Sequence, residues 1–265
     1  MTRSVTALAA LLLALALGGC GLFQDKADQR KDWTAAEFYK AAKEQFDAHN
    51  WAEAIKLYEQ LESKFPFGRF AQQAQLEVAY SYYKQGETAQ ALSAVDKFIK
   101  THPNHANIDY AMYLKALINF REDLGPLSRI TRQDLADRDP KAARESFESF
   151  KELVKRFPES RYTADARDRM AYLIEALARH EINVARYYLQ RKAYLAAANR
   201  AQDALARFPT SPIQREALEI MIESYDRMGM GDLRDDARKV LLKNYPADRM
   251  AQQGQNRTKP WWKLW

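Results

Sequence analysis

The sequence predicts an all-α fold in which helical hairpins stack one on the next as a solenoid, and three observations predict it. Only 9 glycines and 9 prolines occur in 265 residues, while Ala, Leu, Glu, Lys, Arg and Gln, which lose little freedom in a helix, dominate the rest. Apolar side chains recur three and four residues apart, the spacing of one helix face. An aromatic residue or histidine followed by proline punctuates the chain at Phe65-Pro66, His102-Pro103, Phe157-Pro158, Phe208-Pro209 and Tyr245-Pro246. Proline cannot continue a helix from the residue before it, so each pair ends one hairpin and lets the next begin.

Successive prolines of these pairs lie 37, 55, 51 and 37 residues apart, against a period of about 34 for the tetratricopeptide repeat (TPR), a pair of antiparallel helices. This spacing predicts about five TPR-type hairpins, two of them with longer insertions. The first is expected over Thr34 to His49 and Trp51 to Lys64, with Phe38, Ala41, Ala42 and Phe46 on one face of its first helix and Ala54, Tyr58 and Leu61 on its second. The second and cleanest reads Ala74 to Gln85 and Thr88 to Thr101. Small residues at Ala42, Ala54, Ala79 and Ala91 let paired helices approach, and aromatic neighbours fill the space that remains. The third pairs Asp109 to Arg121 with Pro140 to Arg156 around a long loop, Glu122 to Asp139, where Asp139-Pro140 supplies an N-cap and a first-turn proline. The fourth opens with an unbroken run, Tyr162 to Arg191, read as one long helix bracing the two halves of the solenoid, before Tyr194 to Arg207. The fifth runs from Pro212 to Arg227, turns at Met228-Gly229-Met230-Gly231 and ends with Asp232 to Asn244. From Ala247 the pattern is lost, and no β-sheet is expected.

The amino terminus carries a different signal. Arg3 is followed by the apolar run Val5 to Leu17, too short to span a bilayer, and residues 1–19 read as a signal peptide. The run ends Leu17-Gly18-Gly19-Cys20, which resembles the bacterial lipobox. Small residues give a peptidase access to the bond before Cys20, whose thiol takes a diacylglycerol and whose freed amine takes an N-acyl chain. No other cofactor is expected. Each buried methylene contributes about 0.8 kcal/mol, so two or three chains hold a protein at a membrane where one does not. Gly21 follows, without the aspartate that retains lipoproteins at the inner membrane of enteric bacteria, so the expected location is the outer membrane, on its periplasmic face. Residues 20–33 form the tether.

Cys20 is the single cysteine, which excludes an internal disulfide and a structural thiolate metal site. The formal net charge of +6 is spread over helices rich in both signs, with no basic block pointing to nucleic acid. An enzyme needs convergent acid, base or nucleophile, and His49, His102, His105 and His180 have no such company. His102, His105 and Asp109 are read as turn-capping or solvated groups before metal ligands. Asp134, Asp137 and Asp139 are interrupted by arginines and lack the glycine and glutamate of a calcium loop. A solenoid leaves an extended concave surface suited to polypeptides, so the fold favours binding over catalysis.

Three strings sharpen this. They are Phe65-Pro66-Phe67-Gly68 with Gln72-Gln73 and Tyr82-Tyr83-Lys84; Asn107-Ile108-Asp109-Tyr110 with Met112-Tyr113; and Asp137-Arg138-Asp139-Pro140 with Ala143-Arg144 and Phe147. With the lipobox, the loop of repeat three and the long helix of repeat four, the chain from Trp33 to Pro246 resembles the BamD family of lipoproteins in the outer-membrane β-barrel assembly (BAM) machinery. The resemblance implies a non-enzymatic receptor and scaffold. Residues 34–106 would receive unfolded outer-membrane proteins through their carboxy-terminal strand signal, with Phe65, Pro66, Phe67 and Gly68 as contacts. Residues 107–246 would dock on BamA. The family places an arginine after an asparagine in the second helix of repeat four, which Asn199-Arg200 matches, so Arg200 would meet a carboxylate of a BamA POTRA domain. Accessory lipoproteins such as BamC or BamE are expected partners. Read from the residues alone, Phe65 and Phe67 are equally inter-repeat packing, Gly68 a residue at positive φ, and Arg200 an exposed helix charge. The rival function is another periplasmic TPR adaptor lipoprotein, acting in competence, peptidoglycan association or cell-envelope coordination.

The resemblance says nothing about the tail, residues 247–265, which ends Pro260-Trp261-Trp262-Lys263-Leu264-Trp265. A membrane interface, a partner groove or a cap on the last repeat fit it equally.

Overall fold

A computed structural model describes residues 30–120 and 140–246. The signal peptide, Cys20, the loop from Glu122 to Asp139 and the tail after Pro246 lie outside the described residues. Within them the chain forms ten α-helices and no strand: α1 Ala35–Asp47, α2 Trp51–Lys64, α3 Arg69–Gln85, α4 Thr88–Thr101, α5 Ile108–Asn119, α6 Pro140–Arg156, α7 Thr163–Gln190, α8 Tyr194–Arg207, α9 Gln214–Arg227 and α10 Gly231–Asn244. They fall into two compact units, one ending at Gln85 and one beginning at Gly86.

In the first unit α2 packs against both α1 and α3. Thr34 starts α1 with a capping box, accepting from the Glu37 N–H at 3.3 Å while the Glu37 carboxylate accepts from the Thr34 N–H at 2.7 Å. Each satisfies a backbone donor the helix cannot use. Phe38, Ala42, Ala54, Tyr58, Leu61 and Ala79 are buried, so the small residues stand where close helix approach requires them. Helix α3 begins at Arg69, five residues before the expected Ala74. Gly68 is the reason: at φ +100 it turns the chain sharply enough for the helix to restart at once, with the Gln72 N–H reaching Gly68 O at 3.2 Å. A Cβ on Gly68 would meet nothing within 4 Å, so backbone conformation, not crowding, selects glycine there.

In the second unit the helices pack in chain order. The long helix α7 spans 28 residues and belongs to two cores. Its Ala166, Leu173 and Leu177 join Met112, Phe150 and Leu153, while its Ala178, Ile182, Ala185 and Leu189 join Ala197, Ala201, Ala217 and Ile220. One rigid rod therefore ties the third hairpin to the fourth and fifth.

The aromatic-proline pairs act as expected. Phe65, His102, Phe157, Phe208 and Tyr245 each donate a last helical N–H to the carbonyl four residues back, at 2.8 to 3.0 Å. The turns inside hairpins share another device. Ala48, Arg191 and Met228 close their helices and are followed by His49, Lys192 and Gly229 at φ 60, 62 and 70. Asn50, Ala193 and Met230 then bond back to Gln45, Tyr188 and Tyr225, the six-to-one bond of a Schellman motif. Only the third of these turns carries glycine, which is why the first two leave no mark in the sequence.

Candidate functional site

Two surfaces hold the residues singled out above. The first is the turn after α2. Three residues separate its capping Phe65 from Arg69, whereas five separate His102, Phe157 and Phe208 from the helices that follow them. The shorter link has no room to tuck both aromatics inward. Phe65 is half-buried, its ring 6.4 Å from that of Phe38, while Phe67 is 90% exposed. Pro66 and Gly68 are exposed as well. Of two aromatics alike in sequence, one plugs the repeat and one is offered to solvent. Lys64 and Arg69 flank the turn, with Lys64 Nζ 5.3 Å from the Phe38 ring and the Arg69 guanidinium 4.9 Å from that of Phe70.

A buried polar node fixes the helices beneath this turn. The Glu77 carboxylate accepts from Tyr39 Oη at 2.9 Å, from Gln73 Nε2 at 3.1 Å and from the Tyr58 hydroxyl. Burial, then the Glu77 carboxylate, pushes both phenols above their ordinary range, so they remain donors. Glu77 itself stands on α3, so the two phenols tie α1 and α2 to that helix, and Gln73, part of the first signature string and one turn earlier on α3, helps to hold the carboxylate in place.

The second signature string has a structural task in the other unit. Asp109 Oδ2 accepts from Ser160 Oγ at 2.6 Å, and Tyr113 stacks on Tyr162 with centroids 4.7 Å apart and planes 18° apart. Tyr113 Oη donates to Asp165 at 2.6 Å, and so does Arg169 Nε at 2.6 Å. Burial, then that carboxylate, pushes the Tyr113 phenol up to about 12. His102 and His105 both pack on Phe98, at 5.1 and 5.2 Å, and His105 Nδ1 accepts from the Asn107 N–H at 3.0 Å. Asp109 is turned to Ser160, and no group of three or more His, Cys, Asp or Glu that could hold a metal ion is found among the described residues.

The second surface surrounds Arg200. Its Nη1 lies 3.0 Å from Glu181 on α7, a carboxylate only 2% exposed. Arg144 of α6 and Arg207 of α8 reach the other oxygen of the same carboxylate, at 3.4 and 2.7 Å. Arg200 keeps 38% of its side chain exposed, so it is an anchored charge with a face still open to a partner. Sequence reading found Arg200 and Arg144 separately and missed Glu181. The signal was present: Glu181 stands on the apolar stripe formed by Leu177, Ala178, Ile182 and Ala185, where an ionised group is costly unless paired. Cys20 lies outside the described residues, and no helix among them is long and apolar enough to cross a membrane.

Known proteins resemble this chain over nearly its full length. The family model of YfiO, an outer membrane lipoprotein, matches residues 31–254. The outer membrane protein assembly factor BamD of Neisseria meningitidis serogroup B is 44% identical over 96% of this chain and 96% of its own. BamD of Xylella fastidiosa strain 9a5c is 37% identical over 91% and 83%, and BamD of Vibrio cholerae is 32% identical over 88% and 96%.

Proposed function

The chain belongs to the BamD family of outer membrane protein assembly factors, and from that membership we propose that it is a lipoprotein subunit of the BAM complex, a non-enzymatic receptor and scaffold for β-barrel proteins. One observation carries this: 44% identity with a BamD sustained over 96% of both chains. Identity of that extent covers both units, so the comparison reaches beyond a shared repeat fold. It does not favour the alternative of a TPR adaptor in competence, peptidoglycan association or envelope coordination.

In this reading Cys20 carries the acyl chains that hold the protein on the periplasmic face of the outer membrane. The turn Phe65-Pro66-Phe67-Gly68 receives the carboxy-terminal segment of an unfolded outer-membrane protein within residues 34–106. An exposed aromatic between two cations suits a ligand that ends in aromatics and a carboxylate, since ring contact and charge are supplied together. Residues 107–246 dock on BamA, with Arg200 meeting a carboxylate of a POTRA domain. Arginine fits this task because its fork gives two parallel hydrogen bonds to a carboxylate. BamC or BamE complete the assembly.

The test is isolation from the native membrane in mild detergent, with the co-purifying proteins identified by mass spectrometry. BamA in near-equal amount is expected, and Arg200→Ala should reduce its recovery while leaving helicity unchanged. Absence of BamA from the parent preparation refutes the reading. Full recovery of BamA with Arg200→Ala removes Arg200 as an anchor.

A further inference from the structure

Glu181 and its three arginines form a larger unit than one docking arginine requires. Arg144, Arg200 and Arg207 are 53, 38 and 45% exposed, whereas the carboxylate they share is 2% exposed. One guanidinium would neutralise Glu181; three overshoot, and the cluster faces solvent as a cation. The exposed Asp203, on α8 between Arg200 and Arg207, offsets only part of the excess. Each guanidinium has five N–H donors, and the one carboxylate offers about four acceptor sites. Most donors of the trio therefore have no claim on them from Glu181.

We propose that Glu181 is the positioning residue of a three-arginine docking patch, in which Arg144, Arg200 and Arg207 together seat a carboxylate of the partner protein. The proposal rests on the reading of Arg200 as a BamA contact and extends it to two further arginines and the group that orders them. Like charges repel at this separation, and without the buried carboxylate between them the three side chains would splay into solvent. With it, their forks are held before a partner arrives, which removes side-chain ordering from the association. The pairing also gives a task to Arg144, in the third signature string, which no local contact within α6 explains. Arg144 comes from α6 and the other two from α8, so the patch forms only when both helices are packed on α7.

Binding of BamA's periplasmic region to the full lipidated chain in detergent is measured for Arg200→Ala, Arg144→Ala, Arg207→Ala, Glu181→Gln and the double variant Glu181→Gln/Arg200→Ala. The expected result is a loss of about tenfold or more for each single variant. The loss in the double variant should be clearly smaller than the product of the two single losses, because Glu181 acts through the arginines and the Arg200 share is already gone. A purely structural Glu181 would instead add its own loss in the double variant. If Arg200→Ala is impaired while Arg144→Ala, Arg207→Ala and Glu181→Gln bind as the parent does, the patch is refuted and Arg200 stands as a lone anchor. If all variants bind as the parent does, the Arg200 reading falls too. Should Glu181→Gln lose its cooperative melting transition, the two half-exposed sites, Arg144→Ala and Arg207→Ala, decide the question by themselves.

Discussion

Replacing Phe67 and Phe65 by alanine in turn separates binding from folding at the first-repeat turn. Phe67 is 90% exposed, so folding buries almost none of its ring, and Phe67→Ala should change stability by no more than about 0.5 kcal/mol, as at other surface sites. A ligand that covers the ring recovers the whole transfer free energy, about 1.5–3 kcal/mol for a Phe side chain. At about 1.4 kcal/mol per factor of ten, Phe67→Ala should weaken the ligand roughly ten- to hundredfold. Phe65 is half-buried against Phe38, so Phe65→Ala should lower stability by about 1–2 kcal/mol, between the surface and core limits. The assay pairs urea unfolding followed by circular dichroism with fluorescence anisotropy of a peptide carrying the carboxy-terminal strand of an outer-membrane porin. Peptide affinity unchanged in Phe67→Ala would refute the assignment of the exposed ring to ligand contact. A large loss of stability in that variant would refute the geometry itself.

Two further outcomes follow from the second unit. Phe150 is completely buried, with the Tyr113 and Phe120 rings each 6.0 Å away; Phe150→Ala should destabilise that unit by about 3–5 kcal/mol, and a urea midpoint equal to the parent's would show the core to be elsewhere. Burial, then neighbouring His102, holds the His105 imidazole below its ordinary value, so the unfolded chain binds the proton first: its stabilising contribution is complete above about pH 6.5 and is lost as pH falls through the lowered folded value. Melting compared at neutral and mildly acidic pH should show a shallower pH dependence for His105→Asn than for the parent, and equal slopes would contradict the lowered proton affinity of this half-buried imidazole.

Much of the fold is legible in the residues because it is local. Helix periodicity, the aromatic-proline stops and the alanines at close approaches each act within a few positions of the chain. The long helix α7 is readable for the same reason, as an absence of breakers from Tyr162 to Arg191. The early start of α3 is not, because it follows from the positive φ of Gly68, and glycine permits that conformation without demanding it. His49 and Lys192 hide their left-handed turns for the converse reason: the Schellman bonds and the packing of the flanking helices hold a conformation that neither residue prefers.

The candidate sites divide along the same line. By itself the sequence determined that a lipobox cysteine, an aromatic-proline turn and an asparagine-arginine pair on a repeat helix were the positions to watch, since each is a short motif whose chemistry lies in adjacent residues. Only the tertiary structure decided that Phe65 faces Phe38 while Phe67 faces solvent, and that Arg144, Arg200 and Arg207 converge on Glu181. Those partners are 19 to 37 residues from Glu181 for Arg200 and Arg144, on helices brought together by packing. Which side of a helix meets its neighbour depends on where every turn between them sends the chain, and no local pattern carries that information.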